Sequence, residues 1–137
     1  MTTPTTIRYL LDTNIVSHIM QGRDSALLAK LQTLAVGDVA LSSVTLGELE
    51  YGIHRKGNPS RLVAALEQVL LRMDVLPWTK TVAQCYGKLC ADLESKGINL
   101  SDLDMMIAAH AVAEKLTLVS RDKAFLQLRD ELGVEIW

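Results

Sequence analysis

The chain has 137 residues, of which 49% are hydrophobic and 22% charged, with 8 glycines and 3 prolines. This composition is typical of one globular domain, which we expect to span residues 1–137, and it excludes collagen-like and disordered chains. The formal net charge of −2 provides no strong basic field of the kind that attracts nucleic acids, although bound metal ions would supply positive charge locally.

We expect neither a secretory signal nor a membrane partner. Residues 1–6 lack a cationic region followed by an apolar core, and no apolar run approaches the roughly 20 residues that span a bilayer. Cys85 and Cys90 are five positions apart, which separates them by about 140° on a helix. They are therefore expected to be two buried thiols of a cytoplasmic protein, and not a disulfide or a metal-binding pair.

Short strand-like runs alternate with helical segments along the whole chain. Asp12 ends the first strand and begins the capping sequence Asp12-Thr13-Asn14, while Gly22 and Gly97 are typical helix ends. The alternation predicts an α/β fold around a parallel sheet. The predicted strands are residues 7–11, 39–41, 75–76, 117–119 and 134–136, and the predicted helices are residues 15–20, 25–34, 44–54, 61–72, 79–96, 101–115 and 123–132.

Four acidic residues lie where such a fold binds ligands, which is outside the carboxyl ends of the strands. Asp12 directly follows the first strand, and Asp122 comes three residues after Val119 in the fourth. Glu48 is expected in the first turn of the helix after the second strand. Asp104 is expected in the first turn of a helix whose body is almost wholly apolar.

Each acid taken alone is also explained by helix capping. Residues 45–48 (TLGE) and 101–104 (SDLD) both have the spacing of a capping box. Together the four acids indicate a cation-binding site, because carboxylates that converge at one sheet edge repel each other unless a cation neutralises them. Mg²⁺ and Mn²⁺ prefer oxygen ligands and support phosphoryl displacement by water.

Four segments carry a resemblance to a known family. They are residues 10–14 (LLDTN), 43–52 (SVTLGELEYG), 97–111 (GINLSDLDMMIAAHA) and 118–125 (LVSRDKAF). In this order, and over essentially the whole chain, they resemble a PIN domain, and within that superfamily they are most similar to the VapC toxins of bacterial toxin–antitoxin pairs. The resemblance implies a three-layer α/β/α fold with a central, mostly parallel sheet.

The resemblance also implies a metal-dependent endoribonuclease that hydrolyses RNA phosphodiester bonds with Mg²⁺ or Mn²⁺. A transfer RNA or a ribosomal RNA is a plausible target, and its cleavage would arrest translation and growth. The acidic positions of the family, which are both catalytic and metal-binding, fall on Asp12, Glu48, Asp104 and Asp122.

Neighbouring residues complete the expected site. By resemblance, Asn14 and Ser120 support the acids with hydrogen bonds. Arg121 is a candidate phosphate contact because it adjoins Asp122. Periodicity does not separate Glu48 from Glu50, and only the resemblance favours Glu48.

The family further implies a homodimer that is held inactive by a cognate VapB-like antitoxin. A segment of the antitoxin is expected in a groove beside the active site. Four apolar residues could line this groove or could belong to the ordinary core, and they are Ile15, Ile19, Leu27 and Leu28.

Three other functions were weighed against the nuclease. A phosphoacceptor receiver domain needs paired acids after its first strand and an aspartate after a middle strand, and this chain has neither. A serine hydrolase is unsupported because Ser42, Ser43 and Ser120 have no evident histidine partner, and His110 is expected to be a packing residue. A catalytically weak PIN-like scaffold that binds protein or RNA remains open, although the presence of all four acids favours catalysis.

Overall fold

Five parallel strands form one central sheet in the computed structural model, which describes residues 6–137. They are β1 (Tyr9–Leu11), β2 (Val39–Ser42), β3 (Asp74–Leu76), β4 (Thr117–Val119) and β5 (Val134–Glu135). Their order across the sheet is β3-β2-β1-β4-β5, and every neighbouring pair is parallel. The first five residues of the predicted domain, which include most of the segment tested for a secretory signal, lie outside the described residues.

Six α-helices and one short 3₁₀ helix connect the strands. The α-helices are α1 (Thr13–Gln21), α2 (Ser25–Gln32), α3 (Ser43–Arg55), α4 (Ser60–Arg72), α5 (Lys80–Ser95) and α6 (Asp102–Glu114). Their bounds differ from the predicted ones by one or two residues at most ends, as helix ends generally do. None of the helices in residues 6–137 is long and apolar enough to cross a membrane.

The predicted helix over residues 123–132 is the one clear error in the secondary structure. The segment forms a 3₁₀ helix, Lys123–Leu128, that stops four residues earlier. Phe125 and Leu128 are both buried there and are three residues apart. Both side chains thus face the core from one side of the short helix, as residues three apart do in a 3₁₀ turn.

Alternate residues of the strands divide the core into two layers. Tyr9 and Leu11 of β1 pack with α1 to α4 on one face of the sheet. Leu10, which lies between them, packs with α5, α6 and the 3₁₀ helix on the other face. This alternation is what an extended strand with two covered faces requires, and the expected three-layer α/β/α architecture is confirmed.

The order of the strands creates a crevice at the end of β1. The chain leaves β1 for β2 on one side and later returns to β4 on the other, so the connections on either side of β1 diverge. Ligands of open α/β sheets bind at such a switch point, outside the carboxyl ends of the strands. The backbone N–H of Asp12 donates to the Val119 carbonyl across 3.1 Å, which fixes the two strand ends beside each other.

Both cysteines lie on α5 and are free thiols, as expected. The expectation that they are buried is wrong, because each is only half-buried. Partial burial still raises the pKa of the Cys85 thiol, and the nearby positive charge of Lys88 opposes that rise.

Candidate active site

Asp12 occupies the junction between β1 and α1 and is almost wholly buried, with 4% of its surface exposed. It is the N-cap of α1, and its Oδ1 accepts the backbone N–H of Ile15 across 2.9 Å. Its Oδ2 accepts the hydroxyl of Ser120, which follows β4. Both oxygens are therefore held, so the carboxylate has one orientation at the crevice.

Burial raises the pKa of the Asp12 carboxyl above its ordinary value. The hydrogen bonds from Ser120 and Ile15 oppose this rise, while the negative charges of Asp104 and Asp122 add to it. The charges of Asp104 and Asp122 thus act on Asp12, so these three of the four predicted acids interact electrostatically. A positive ion at this edge of the sheet would relieve the repulsion among them.

Asp104 lies in the first turn of α6, as predicted, and its side chain is half-buried. The Ser101 hydroxyl caps the helix by accepting the Asp104 N–H across 3.3 Å, which confirms one half of the predicted capping box. The body of α6 is buried from Ile107 to Ala111. The helix is therefore packed in the core, and its first turn places Asp104 near the crevice.

Glu48 lies in the second turn of α3 and not in the first, so the predicted capping box over residues 45–48 is wrong. The helix begins earlier because Ser42, at the end of β2, accepts the Val44 N–H across 3.1 Å and takes the N-cap position. Thr45 consequently lies inside the helix, where it is buried.

The position of Glu48 depends on Thr13, whose sequence context predicts only a helix-capping role. The Thr13 hydroxyl donates to Glu48 Oε1 across 2.6 Å, and its oxygen lies 3.3 Å from the Thr45 hydroxyl. Glu50 instead forms an exposed pair with His54, at 3.5 Å. The Thr13 hydroxyl thus ties Glu48 to the residue that follows Asp12, whereas Glu50 stays on the surface. The sequence signal that could have indicated this role is that Thr13 directly follows Asp12.

Asp122 is exposed and caps the 3₁₀ helix, since its Oδ1 accepts the Ala124 N–H across 2.9 Å. Its own N–H donates to the Ser120 hydroxyl oxygen across 3.0 Å. Ser120 therefore links Asp12 to Asp122, and its supporting role in a metal site stays a prediction. Asn14 is exposed in the first turn of α1, and its supporting role stays a prediction.

Arg121 is engaged away from the four acids. Its Nη1 lies 2.6 Å from Asp24 Oδ2, and its Nε donates to the Trp137 carbonyl across 2.7 Å. The guanidinium holds the pKa of the Asp24 carboxyl below its usual value. Contact between Arg121 and a substrate phosphate stays a prediction. Such a contact would need the guanidinium N–H groups that are not bonded to Asp24 or Trp137, or it would require the ion pair with Asp24 to break.

His110 is fully buried on α6 and has a packing role, as expected. The expectation that Ser42 has no histidine partner is wrong, because His110 Nδ1 lies 2.7 Å from the Ser42 hydroxyl. Burial lowers the pKa of His110, and its ring meets Trp78 edge-on with the centroids 5.7 Å apart. Since Ser42 is also fully buried and caps α3, this pair ties α6 to α3 and offers no nucleophile to a substrate.

The donor atoms at the crevice fit a hard divalent cation. The polar side chains gathered there offer carboxylate and hydroxyl oxygens, which are the ligand type that Mg²⁺ and Mn²⁺ prefer. In residues 6–137, no group of three or more His, Cys, Asp or Glu side chains is close enough to hold an ion by itself. Mg²⁺ usually keeps several waters and uses one or two carboxylates of the protein.

A separate apolar groove of about 620 Å³ lies between α1, α2 and α4. Ile19 and Leu28 line it, whereas Ile15 and Leu27 are fully buried in the core and do not. The groove also includes Val39, the first residue of β2, so it opens toward the amino ends of the strands. It therefore lies at the opposite end of α1 from Asp12 and not directly beside the acids, as the resemblance implied.

Comparison with known proteins assigns the chain to a family. The model of the PIN domain family matches residues 9–131. "Ribonuclease VapC2" of Haemophilus influenzae is 34% identical over 131 residues, which are 96% of this chain and 98% of the relative. "tRNA(fMet)-specific endonuclease VapC" of Shigella flexneri is 30% identical over 131 residues, with the same coverage of both chains. The crystal structure of VapBC2 from Rickettsia felis bound to a DNA fragment from their promoter superposes with a TM-score of 0.86, at 28% identity, and covers 96% of this chain and 99% of that one.

The raised pKa of Asp12 predicts that Asp12→Asn stabilises the metal-free protein at neutral pH. The folded protein holds the ionised carboxylate at a cost, because its pKa lies above the value in the unfolded chain. The contribution of the Asp12 carboxyl to the free energy of unfolding is complete below its pKa in the unfolded chain. It is lost as the pH rises through its pKa in the folded protein. Asparagine caps helices as well as aspartate does and stays neutral, so we expect a higher melting temperature in EDTA, with a gain that shrinks toward acidic pH.

Glu67→Gln provides the matched control, since Glu67 is an exposed carboxylate on α4. Calorimetry across pH should show no comparable pH-dependent gain for this variant. An Asp12→Asn protein that is less stable than wild type at neutral pH would show that the two hydrogen bonds outweigh the cost of burial.

Proposed function

The chain belongs to the PIN domain family and, within it, to the VapC ribonucleases, and from this membership we propose that it is a divalent-metal-dependent endoribonuclease of a toxin–antitoxin pair. Its substrate is RNA, and a transfer RNA is the first target to test because the Shigella flexneri relative is named for one. Cleavage of such an RNA in the cytoplasm would arrest translation and growth.

The placement of Asp12 carries this proposal. A carboxylate is buried at the switch point of the sheet, and the charges of Asp104 and Asp122 raise its pKa further. A scaffold has no need of this unfavourable arrangement, since asparagine would cap α1 equally well. Active sites commonly hold charged groups that weaken the fold, and function explains why they are kept.

The residues of the chain divide the work at the site. A bound divalent cation supplies an acidified water at neutral pH and compensates the charge that develops on the phosphate. Ser120 and Ile15 hold the Asp12 carboxylate toward the crevice, and Thr13 holds Glu48. In this proposal Asp12 and Asp104 are the main metal ligands, while Glu48 and Asp122 complete the site directly or through water.

We expect purified protein to cut total cellular RNA into discrete fragments in Mg²⁺ or Mn²⁺, and EDTA to abolish the cutting. Asp12→Asn and Asp104→Asn should each reduce the rate by at least about 100-fold, because even residues that only support metal ligands cost 10- to 100-fold when changed. Gel analysis and mapping of the fragment ends measure the effect.

Glu50→Gln is the control for the loss of one carboxylate on α3, because Glu50 pairs with His54 on the surface. It should cut at the wild-type rate. RNA that stays intact with wild-type protein under every metal condition, or an Asp12→Asn protein that remains fully active, would contradict the nuclease assignment and favour a scaffold.

The contact between Thr13 and Glu48 predicts a second effect on cleavage. Thr13→Val keeps the shape of the side chain but removes the hydroxyl that donates to Glu48 across 2.6 Å. We expect a 10- to 100-fold lower rate, in the range found for residues that orient metal ligands, and a higher Mn²⁺ concentration for half-maximal activity. Thr13→Ser should restore both values, and failure of the serine variant to do so would mean that packing and not the hydrogen bond is responsible.

We also propose that the apolar groove holds a segment of the antitoxin. The structural relative is a complex of a VapC with its VapB partner, and the groove is lined by the apolar side chains expected for an amphipathic helix. These side chains include Ile19, Leu28, Leu31 and Val36. A segment that continues along α1 from this groove would reach the acids.

Co-expression with the product of the neighbouring gene tests this assignment. The two proteins should purify together, and Leu31→Glu should weaken the complex by about 100-fold, since an uncompensated charge in an interface costs several kcal/mol. Leu71→Glu is the matched control, because Leu71 is 75% exposed on α4 and does not line the groove. Equal affinities for the two variants in titration calorimetry would place the antitoxin elsewhere.

A further inference from the structure

One face of α3 carries Glu48, Tyr51 and Arg55 in a line. Residues of an α-helix advance by 100°, so these three positions lie within about 60° of one another. The buried residues of the helix, Thr45 and Leu49 among them, face the core on another side. Tyr51 is one helical turn from Glu48, at about 4.5 Å along the axis, so the line leads directly away from the acids.

Tyr51 exposes a large aromatic surface beside the proposed site. It is 67% exposed, and it is the aromatic member of the exposed large hydrophobic residues in the described part of the chain. The guanidinium of Arg55 lies 5.7 Å from the centre of its ring. An aromatic ring with an arginine against it is a common means of binding an unstacked base, because the ring stacks on the base and the cation attracts the phosphates.

The segment that contains Tyr51 is a basic stretch, flanked by Glu50 and Glu67, of a mildly acidic chain. Residues 51–66 include Arg55, Lys56 and Arg61 and contain no aspartate or glutamate. Arg55 and Lys56 are both exposed at the end of α3. A polyanion repelled by the acids of the site would therefore find favourable charge at this end of the helix.

Gly47 leaves space on the turn before Tyr51. It is exposed within α3, and a Cβ at this position would meet no atom within 4 Å. Glycine is unfavourable inside a helix, and no close packing in the described residues requires it here. The absence of a side chain allows a flat ring to approach Tyr51 from the Glu48 side.

We propose that Gly47, Tyr51, Arg55 and Lys56, named here the α3 strip, bind the single-stranded RNA substrate. One base stacks on Tyr51, Arg55 and Lys56 contact the phosphates beyond it, and the strand continues toward Glu48. This inference rests on the proposed function, since it assigns the substrate of that site. The strip has one aromatic side chain among charged ones, whereas the core of a stable interface between two copies is larger and more apolar.

Fluorescence anisotropy in EDTA tests the strip without cleavage. The probes are a labelled single-stranded RNA and an abasic oligomer of the same length. Tyr51→Ala should weaken RNA binding by about 10-fold, as loss of one stacked base does, and leave the abasic oligomer unaffected. Tyr51→Trp should bind RNA as wild type does. Arg55→Ala should weaken both probes and lower the dependence of affinity on salt by about one phosphate contact.

Leu71→Ala and Arg129→Ala are the matched controls, because both residues are exposed and lie on other elements. Neither should change affinity. Melting temperatures of all variants establish that they are folded, and sedimentation establishes whether the number of subunits changes.

Unchanged RNA affinity in Tyr51→Ala, or no RNA binding by wild type, would overturn the strip. It would also be overturned if Tyr51→Ala separates a dimer into monomers and the affinity falls only with that separation, since the surface would then belong to a second copy. The cleavage assay decides the nuclease separately. Binding that depends on Tyr51 in a protein that cuts no RNA would keep the strip and reject the nuclease.

Discussion

The carboxylate of Asp12 is buried at the end of β1, and hydrogen bonds from its neighbours compensate part of the cost of burying it. The strand order β3-β2-β1-β4-β5 brings the end of β4 against the end of β1, so Ser120 can donate to one oxygen while the first turn of α1 donates to the other. Burial and two neighbouring negative charges oppose these bonds. The ionised Asp12 carboxylate therefore lowers the free energy of unfolding, and packing elsewhere in the fold offsets this loss.

Helices α3 and α6 pack against the sheet, contribute to that stabilisation and carry two of the other acids. The apolar body of α6 is embedded in the core and carries Asp104 on its first turn. The end of β2 continues into α3, whose cap, Ser42, is bonded to His110 of α6. The same buried pair joins both helices, so the core fixes α3 relative to α6, and the Thr13 hydroxyl then holds the Glu48 carboxylate.

The regular elements also separate the surfaces to which we assign different partners. The sheet edge with the acids and the apolar groove lie at opposite ends of α1, and the α3 strip extends outward from Glu48. Substrate and antitoxin therefore need not compete for the same atoms. An antitoxin segment would have to continue along α1 from the groove before it could approach the acids.

The sequence alone predicted the alternation of strands and helices and the places of Asp12, Asp104 and Asp122 at strand or helix ends, because strand and helix periodicity, helix caps and acids after strands are local signals. The three layers were implied by the resemblance to PIN domains. The exposed pair of Glu50 and His54 shows the limit of such signals, since only the fold brings Thr13 within 2.6 Å of Glu48 and thereby distinguishes Glu48 from Glu50. Ser42 and His110 are 68 positions apart, and their bond depends on the packing of α6 against the end of β2. The raised pKa of Asp12 depends on burial and on the charges of Asp104 and Asp122, and only the tertiary structure decides which groups lie near it in space.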